Sequence, residues 1–180
     1  SLPWKSADIW FASVQKCFGL PAGLAVMVVS PYAISRAVEI GEDNHYNSFN
    51  FIRKNFQKWQ TPYTPNILGI YLLGKSMESI ATIEVISEEI TARAHDLYSF
   101  FERIGLDFVV NQGNVQSKTV LALNMKEEPL SELKRLAKQH EILLGNGYGD
   151  WKSNSFRIAN FPAISAMEIE QLKAFFEIHI

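Results

Sequence analysis

The chain of 180 residues contains one cysteine, Cys17. A single cysteine cannot form a disulfide within the chain or build a cysteine-rich metal site, and it suits a reducing compartment, so the sequence predicts a cytoplasmic protein. The four histidines, His45, His95, His140 and His179, are scattered without the spacing of metal ligands. We therefore expect no disulfide and no metal centre.

Long hydrophobic runs and a strong charge of either sign are also missing. The longest apolar run, around Leu24–Val29, has the length of a strand and is too short to cross a bilayer. The net charge of −2 at pH 7 argues against nucleic acid and anionic membrane surfaces as main partners. With 47% hydrophobic and 20% charged residues, the composition is that of an ordinary globular protein. We expect neither nucleic acid nor a membrane as a partner.

Helical and strand-like patterns alternate along the chain, which predicts an α/β fold. Leu24–Ser30 is continuous, rich in β-branched residues and bounded by Gly23 and Pro31, so it predicts a buried strand. The other predicted strands cover residues 107–110, 119–125, 141–144 and 155–161. Three predicted helices cover residues 31–41, 87–105 and 131–140, and two further helices are predicted to begin at residues 65 and 165. Residues 51–60 show no clear period. A domain boundary is expected near residues 75–90.

Short motifs mark where three of these helices begin. Thr64 and Pro65 predict an N-cap followed by the first helical residue. Ser87 precedes two glutamates, which are favourable in the first turn of a helix. Ser165 and Glu168 have the spacing of a capping box. The helix from Ser87 has an apolar stripe and a closing glycine, formed by Ile90, Ala94, Leu97, Phe101, Ile104 and Gly105.

Lys16 is the residue on which the functional prediction depends. It stands alone in a largely apolar stretch, between Ile9–Val14 and Cys17–Leu20. An ammonium group in apolar surroundings loses hydration and tends to release its proton. The neutral amine attacks carbonyl groups and forms Schiff bases. The alternative is a surface lysine at the edge of a strand.

The residues around Lys16 resemble the cofactor-lysine segment of the class V pyridoxal-phosphate aminotransferases, most closely that of the phosphoserine aminotransferases. The resemblance rests on Gln15-Lys16 followed by Gly19, and on Pro21–Leu24 leading into a hydrophobic strand. In that family the lysine holds pyridoxal 5'-phosphate as a Schiff base and moves a proton during transamination, which implies both roles for Lys16. The resemblance further implies that Gln15 donates to the cofactor phosphate; a solvated glutamine at a strand edge is the alternative.

The same resemblance implies a fold and a division of the chain. The fold is a fold-type I pyridoxal-phosphate transferase, in which residues 1–80 are the C-terminal part of the large cofactor-binding domain. Residues 81–180 are then the small C-terminal α/β domain. In this family, a stretch about as long as this whole chain precedes the lysine, whereas Lys16 lies close to the start of the sequence. We therefore expect the chain to be the C-terminal half of a longer enzyme.

A second segment, residues 63–71, resembles the family's Asn-Thr-Pro-x-x-x-Gly-Ile-Tyr motif. In the family, its threonine reaches across a dimer to the phosphate of the neighbour's cofactor. The resemblance therefore implies that Thr64 binds the cofactor in a homodimer with shared active sites. Tyr63 replaces the family's asparagine here, and a plain helix cap is the alternative role of Thr64.

Arg157 lies in the predicted strand 155–161, with Phe156 and Ile158 pointing to the opposite face. The planar fork of an arginine binds a carboxylate through two hydrogen bonds. The segment resembles the stretch in which the family's arginine grips the α-carboxylate of the substrate; an internal salt bridge is the alternative. The glycine-rich loop 145–149 is expected to form a tight turn that positions this strand.

The likeness is weaker where phosphoserine aminotransferases grip the substrate phosphate with a His-Arg pair. Residues 149–153 contain Asp150 and Trp151 at the corresponding places. Lys152 could replace the pair as a point charge, but a neighbouring acid opposes a dianionic substrate. Whether the substrate is phosphorylated therefore stays open.

The resemblance implies a pyridoxal-phosphate-dependent aminotransferase that moves an amino group between an amino acid and a 2-oxo acid, with a role in serine biosynthesis. A desulfurase or lyase of the same fold is an alternative. Related desulfurases typically have a histidine before the lysine and a mobile reactive cysteine, whereas this chain has Gln15 and Cys17. The alternative from a different class is a non-catalytic α/β interaction domain in which Lys16 is merely structural.

Overall fold

The computed structural model describes residues 3–180. Its internal contacts divide the chain into two compact units, Ser1–Ile80 and Ala81–Ile180. The assignment of these units to the large and small domains of an aminotransferase stays a prediction. Within residues 3–180, no helix combines the length and the apolar composition that are needed to span a bilayer.

In the part of the first unit that the structure describes, there are a two-stranded antiparallel sheet and three α-helices. The strands are β1 (Ile9–Ser13) and β2 (Ala25–Val29), and the helices are α1 (Pro31–Ile40), α2 (Phe49–Phe56) and α3 (Ile67–Ser79). Ser30 caps α1 by accepting a hydrogen bond from the backbone N–H of Ala33. Gly41 ends α1 with a φ of 67°, as the predicted helix over 31–41 requires. Helix α2 was not predicted, because its eight residues are too few to show a period.

β2 occupies the predicted position, but the prediction that it is buried is wrong for this chain. The side chains of Met27 and Val28 are 45% and 55% exposed. Within the described residues β2 pairs with β1 alone, in a register that sets Ser13 opposite Ala25. A two-stranded ribbon covers neither of its faces, so an apolar sequence does not suffice to bury it.

The second unit has a three-stranded antiparallel sheet and three helices. The strands are β3 (Val120–Asn124), β4 (Gly145–Asn146) and β5 (Ser155–Ala159), in the order β3-β5-β4. The helices are α4 (Ile83–Arg103), α5 (Glu127–Gln139) and α6 (Ala166–His179). Arg157, in the central strand, lies between Ala122 of β3 and Gly145 of β4.

The core of this unit forms between the sheet and the apolar faces of the helices. The predicted stripe of α4 is correct: Ile90, Ala94, Leu97 and Phe101 are buried. They belong with buried residues of the strands and of α5 and α6, among them Leu121, Leu123, Leu133, Phe156, Leu172 and Phe176. The predicted capping box is also present, because Ser165 and Glu168 each bond to the other's backbone at the start of α6.

Several predicted boundaries in the second unit are wrong. Helix α4 begins at Ile83 with Thr82 as its N-cap, and α5 begins at Glu127, so each starts about one turn before the predicted residue. The predicted strands over 107–110 and 141–144 do not form. Phe108 makes one isolated bridge and is itself buried in the core, while Ile142 and Leu144 pack against that core. The apolar residues of these segments pack against the core. The periodicity of a sequence cannot distinguish such packing from the pairing of a strand in a sheet.

Candidate functional site

Lys16 lies in the connection between β1 and β2, and backbone hydrogen bonds fold this connection back on itself. The N–H of Val14 donates to the carbonyl of Leu24 (3.2 Å), and the Val14 carbonyl accepts from the N–H of Leu20 (3.1 Å). The N–H of Gly19 donates to the carbonyl of Lys16 (3.0 Å). Because Val14 is fully buried, this turn has a fixed base from which Lys16 projects.

Two glycines and one helix determine the shape of the Lys16 turn. Gly19 and Gly23 have φ values of 68° and 122°, which side chains strongly disfavour. The hydroxyl of Ser76, on α3, donates to the carbonyl of Phe18 (3.3 Å). A Cβ added to Gly23 would lie 3.4 Å from the side-chain nitrogen of Asn66, so the turn also lies close to the residue before α3. The segments that carry Lys16 and Thr64 therefore approach each other.

The expected apolar surroundings of Lys16 are wrong for this chain. Lys16 and Gln15 are both exposed, because they lie beyond the end of β1 at the tip of the turn. Within residues 3–180, no hydrogen bond or ion pair engages the Lys16 amine. Burial raises the pKa of the Cys17 thiol, and the charge of Lys16 lowers it by less.

The predicted N-cap at Thr64 is wrong, because Asn66 caps the helix. Helix α3 begins at Ile67, and the Asn66 side-chain oxygen accepts from the N–H of Gly69 at 2.9 Å. A Cβ on residue 69 would come within 2.7 Å of the Asn66 side chain, so glycine permits this close cap. Thr64 lies exposed two residues before Asn66, and the cap makes no use of its hydroxyl.

Arg157, on β5, is held by two neighbours that carry no charge. Its Nε donates to the backbone carbonyl of Asn146 at 2.6 Å. The centre of its guanidinium lies 4.0 Å from the ring centroid of Tyr148, a cation–π contact. No carboxylate among the described residues forms an ion pair with Arg157, so the internal salt bridge considered as its alternative role is not present.

The glycine-rich loop has the expected role of positioning the Arg157 strand. Gly147 is buried, and a Cβ there would overlap the carbonyl of Trp151 and the hydroxyl of Ser155. The same hydroxyl donates to the Trp151 carbonyl at 2.6 Å, which closes the loop. Lys152 is exposed in this loop and belongs to no ion pair of the described residues. The structure therefore shows no contact that links Lys152 to Arg157.

Sequence reasoning missed Asn160, which is fully buried where β5 ends. Its side-chain nitrogen donates to the carbonyls of Ile90 (3.1 Å) and Lys118 (2.8 Å). The guanidinium of Arg93, on α4, donates to the Asn160 side-chain oxygen and to the carbonyl of Phe161. These bonds fix the end of β5 to α4, and so support the strand that carries the Arg157 side chain.

The position of Arg93 gave the only sequence signal for this contact. Arg93 directly precedes Ala94 in the apolar stripe of α4, where a charge has to find internal acceptors. Desolvation lowers the pKa of Arg93, and the charges of Glu89 and Glu168 oppose that shift. The backbone carbonyls that receive its hydrogen bonds have no sequence signature.

Comparisons with known proteins show what the chain resembles. No protein-family model matches it. A phosphoserine aminotransferase of Corynebacterium glutamicum is 25% identical over 177 residues, which are 93% of this chain and 47% of that protein. The crystal structure of a phosphoserine aminotransferase from Cytophaga hutchinsonii superposes with a TM-score of 0.86 at 29% identity, covering 99% of this chain and 51% of that one. A pyridoxal-phosphate-bound phosphoserine aminotransferase from Trichomonas vaginalis has a TM-score of 0.78 at 17% identity, covering 98% and 49%.

These comparisons confirm the resemblance to phosphoserine aminotransferases that was predicted from the segment around Lys16. They also confirm the predicted α/β fold, that of part of a fold-type I transferase. The chain spans about half the length of the curated relatives that it matches.

Proposed function

We propose that this chain is the C-terminal half of a class V pyridoxal-phosphate-dependent aminotransferase similar to phosphoserine aminotransferase. It would act in the cytoplasm as a homodimer with shared active sites. The observation that carries the proposal is the Lys16 turn, in which an exposed amine without a partner among the described residues projects from a fixed base. The sequence of that turn resembles the cofactor-lysine segment of the family.

The side chains of the first unit suit pyridoxal phosphate by their chemistry. The Lys16 amine is free to combine with an aldehyde, since no acid among the described residues engages it. Gln15 and Thr64 offer uncharged donors for a phosphate, and the Thr64 hydroxyl is not consumed by the helix cap. When bound, this cofactor supplies an aldehyde and a ring that accepts electrons from the substrate.

Three residues of the chain have separate roles in the proposed reaction. Lys16 would hold the cofactor through its amine, and the same amine, when free, would move the proton at the substrate α-carbon. Arg157 binds the α-carboxylate of the amino acid or 2-oxo acid, because its terminal nitrogens have no partner in the described residues. Thr64 serves the phosphate of the neighbouring subunit's cofactor, the role that its motif has in the family.

A related transaminase for another amino acid is the second candidate function, and the loop 149–153 favours it. Asp150 and Trp151 lie there, and Lys152 is the only cation of this segment. An acidic neighbour opposes binding of a phosphate dianion. The chain would bind a phosphorylated substrate, and so act in serine biosynthesis, only if the attraction of Lys152 for the phosphate exceeds the repulsion by Asp150. Comparing kcat/KM for phosphoserine with that for the unphosphorylated amino acids distinguishes the two.

Borohydride reduction tests the proposed cofactor and its attachment site. The full-length protein, purified with the cofactor, is expected to be yellow and to lose this colour on reduction. A peptide digest should then carry the reduced cofactor on Lys16, and mass spectrometry locates it. The neighbouring exposed Lys5 should remain unlabelled in the same digest. A full-length protein that never takes up the cofactor would support the interaction domain instead.

Substitutions at Thr64 and Asn66 should separate cofactor binding from helix capping. Asn66→Ala removes the observed cap and should lower the free energy of unfolding by about 1 kcal/mol, measured by urea denaturation. Thr64→Val keeps the shape of an exposed residue and should change that free energy by less than about 0.5 kcal/mol. We expect Thr64→Val to weaken cofactor affinity by about 1 kcal/mol, because it removes one hydrogen bond to the phosphate.

Mixed dimers show which subunit Thr64 serves. In a heterodimer of a Thr64→Val chain and a Lys16→Ala chain, the one site with an intact Lys16 receives the unmutated Thr64 of its partner. That site should regain wild-type cofactor affinity, which the Thr64→Val homodimer lacks. If mixing restores nothing, Thr64 serves its own chain or does not contact the cofactor.

A further inference from the structure

The two contacts of the Arg157 guanidinium restrict how it can bind a ligand. Arg157 uses Nε for the carbonyl of Asn146, at 2.6 Å. The ring of Tyr148 covers one face of the guanidinium, at 4.0 Å from its centre. Within residues 3–180, Nη1 and Nη2 donate no hydrogen bond to the protein. The guanidinium is therefore held at Nε and covered on one face, and the edge formed by Nη1 and Nη2 is open.

The residues that hold Arg157 are themselves held. The side-chain oxygen of Asn146 accepts from Nζ of Lys134, on α5, at 2.8 Å. Asn146 also pairs with Phe156 in the β4–β5 ladder, so its carbonyl is set by a strand and by a side-chain anchor. Gly147 follows directly and leaves no room for a side chain, which limits the paths that the chain can take to Tyr148.

We propose that Asn146 and Tyr148 are positioning residues that set Arg157 to bind a carboxylate end-on, through Nη1 and Nη2, with Lys134 supporting Asn146. A guanidinium can receive a carboxylate either along the Nε–Nη edge or along the edge formed by its two terminal nitrogens. The first edge is blocked, because Nε already donates to Asn146. The identity of the carboxylate as that of an amino acid or 2-oxo acid rests on the proposed function.

Kinetics of the full-length enzyme test the role of Tyr148. Tyr148→Leu removes a cation–π contact and should raise KM for the amino acid about two- to fivefold with kcat unchanged. Tyr148→Phe keeps the ring and should stay within about twofold of wild type. Lys134→Met should raise KM in the same direction as Tyr148→Leu. Val115→Ser, at an exposed position of the same unit, is the control and should leave KM unchanged. Equal losses in Tyr148→Phe and Tyr148→Leu would overturn the role of the ring.

A measurement independent of activity tests the binding geometry. In full-length protein labelled with ¹⁵N-arginine and prepared without cofactor, propionate serves as a simple carboxylate and propanol as its neutral control. Propionate should shift the Nη signals of Arg157 and leave its Nε signal in place, and Tyr148→Leu should need a higher propionate concentration for the same shift. A shift of Nε, or an equal response to propanol, would overturn end-on binding. If the signals behave as expected while the wild type transaminates nothing, the proposed function fails and the carboxylate site stands.

Discussion

Replacement of Lys16 by alanine is expected to abolish transamination by the full-length enzyme. One amine performs two tasks in the proposed function, since it holds the cofactor and then moves the α-proton of the substrate. Loss of a positioned general base alone costs a factor of about 10²–10⁴ in rate. We therefore expect kcat to fall by at least about a thousandfold, measured under single-turnover and steady-state conditions.

The cofactor content of Lys16→Ala and a control lysine make this result interpretable. The variant should retain part of its cofactor through contacts of Gln15 and Thr64 with the phosphate. Lys75→Ala removes an exposed lysine of α3 that pairs with Glu78 at 2.7 Å, and it should keep wild-type activity. A Lys16→Ala enzyme whose turnover lies within tenfold of wild type would contradict the assignment.

Arg157→Lys should weaken binding of every amino acid and 2-oxo acid that the enzyme accepts. Lysine retains the charge but offers no planar fork, and it cannot reproduce both the Asn146 contact and two bonds to a carboxylate. The loss of a charge-assisted contact costs about 1.5–3 kcal/mol, which corresponds to an increase in KM of about ten- to a hundredfold. Initial rates over a series of substrates measure it.

Two comparisons distinguish carboxylate binding from a general loss of structure. An amine substrate that lacks the α-carboxylate should react equally slowly with wild type and Arg157→Lys. Arg135→Lys, which alters an exposed arginine paired with Glu132 on α5, should behave as wild type. An effect of Arg157→Lys that is confined to one amino acid would assign Arg157 to side-chain recognition instead.

The sequence predicted elements correctly where a local pattern determines them. The α4 stripe around Leu97 and the capping box at Ser165 depend on residues a few positions apart, and both are present. The burial of β2 could not be predicted in this way, because it depends on which strands lie beside it. The cap of α3 was missed for a related reason: the Asn66 side chain lies so close to Gly69 that a Cβ there would contact it. This close contact depends on both residues together, whereas the sequence analysis used the capping preference of single residues.

The same distinction applies to the candidate site. Lys16 and Arg157 were proposed as site residues because their side chains occur in motifs that a sequence displays, and their roles stay predictions. The two residues that hold Arg157 were missed, since Asn146 contributes a backbone carbonyl and Tyr148 contributes a ring on a loop. A backbone acceptor has no residue identity, and so no single sequence indicates it.

The buried Gly147 constrains any directed evolution of this chain. A mutant library that varies the whole loop would lose most members at this one position, because every side chain there meets the Trp151 carbonyl and the Ser155 hydroxyl. Asp150 and Lys152 are exposed and carry no such restriction. A library that keeps Gly147 fixed and varies the exposed positions would change the loop while preserving the backbone that holds Arg157.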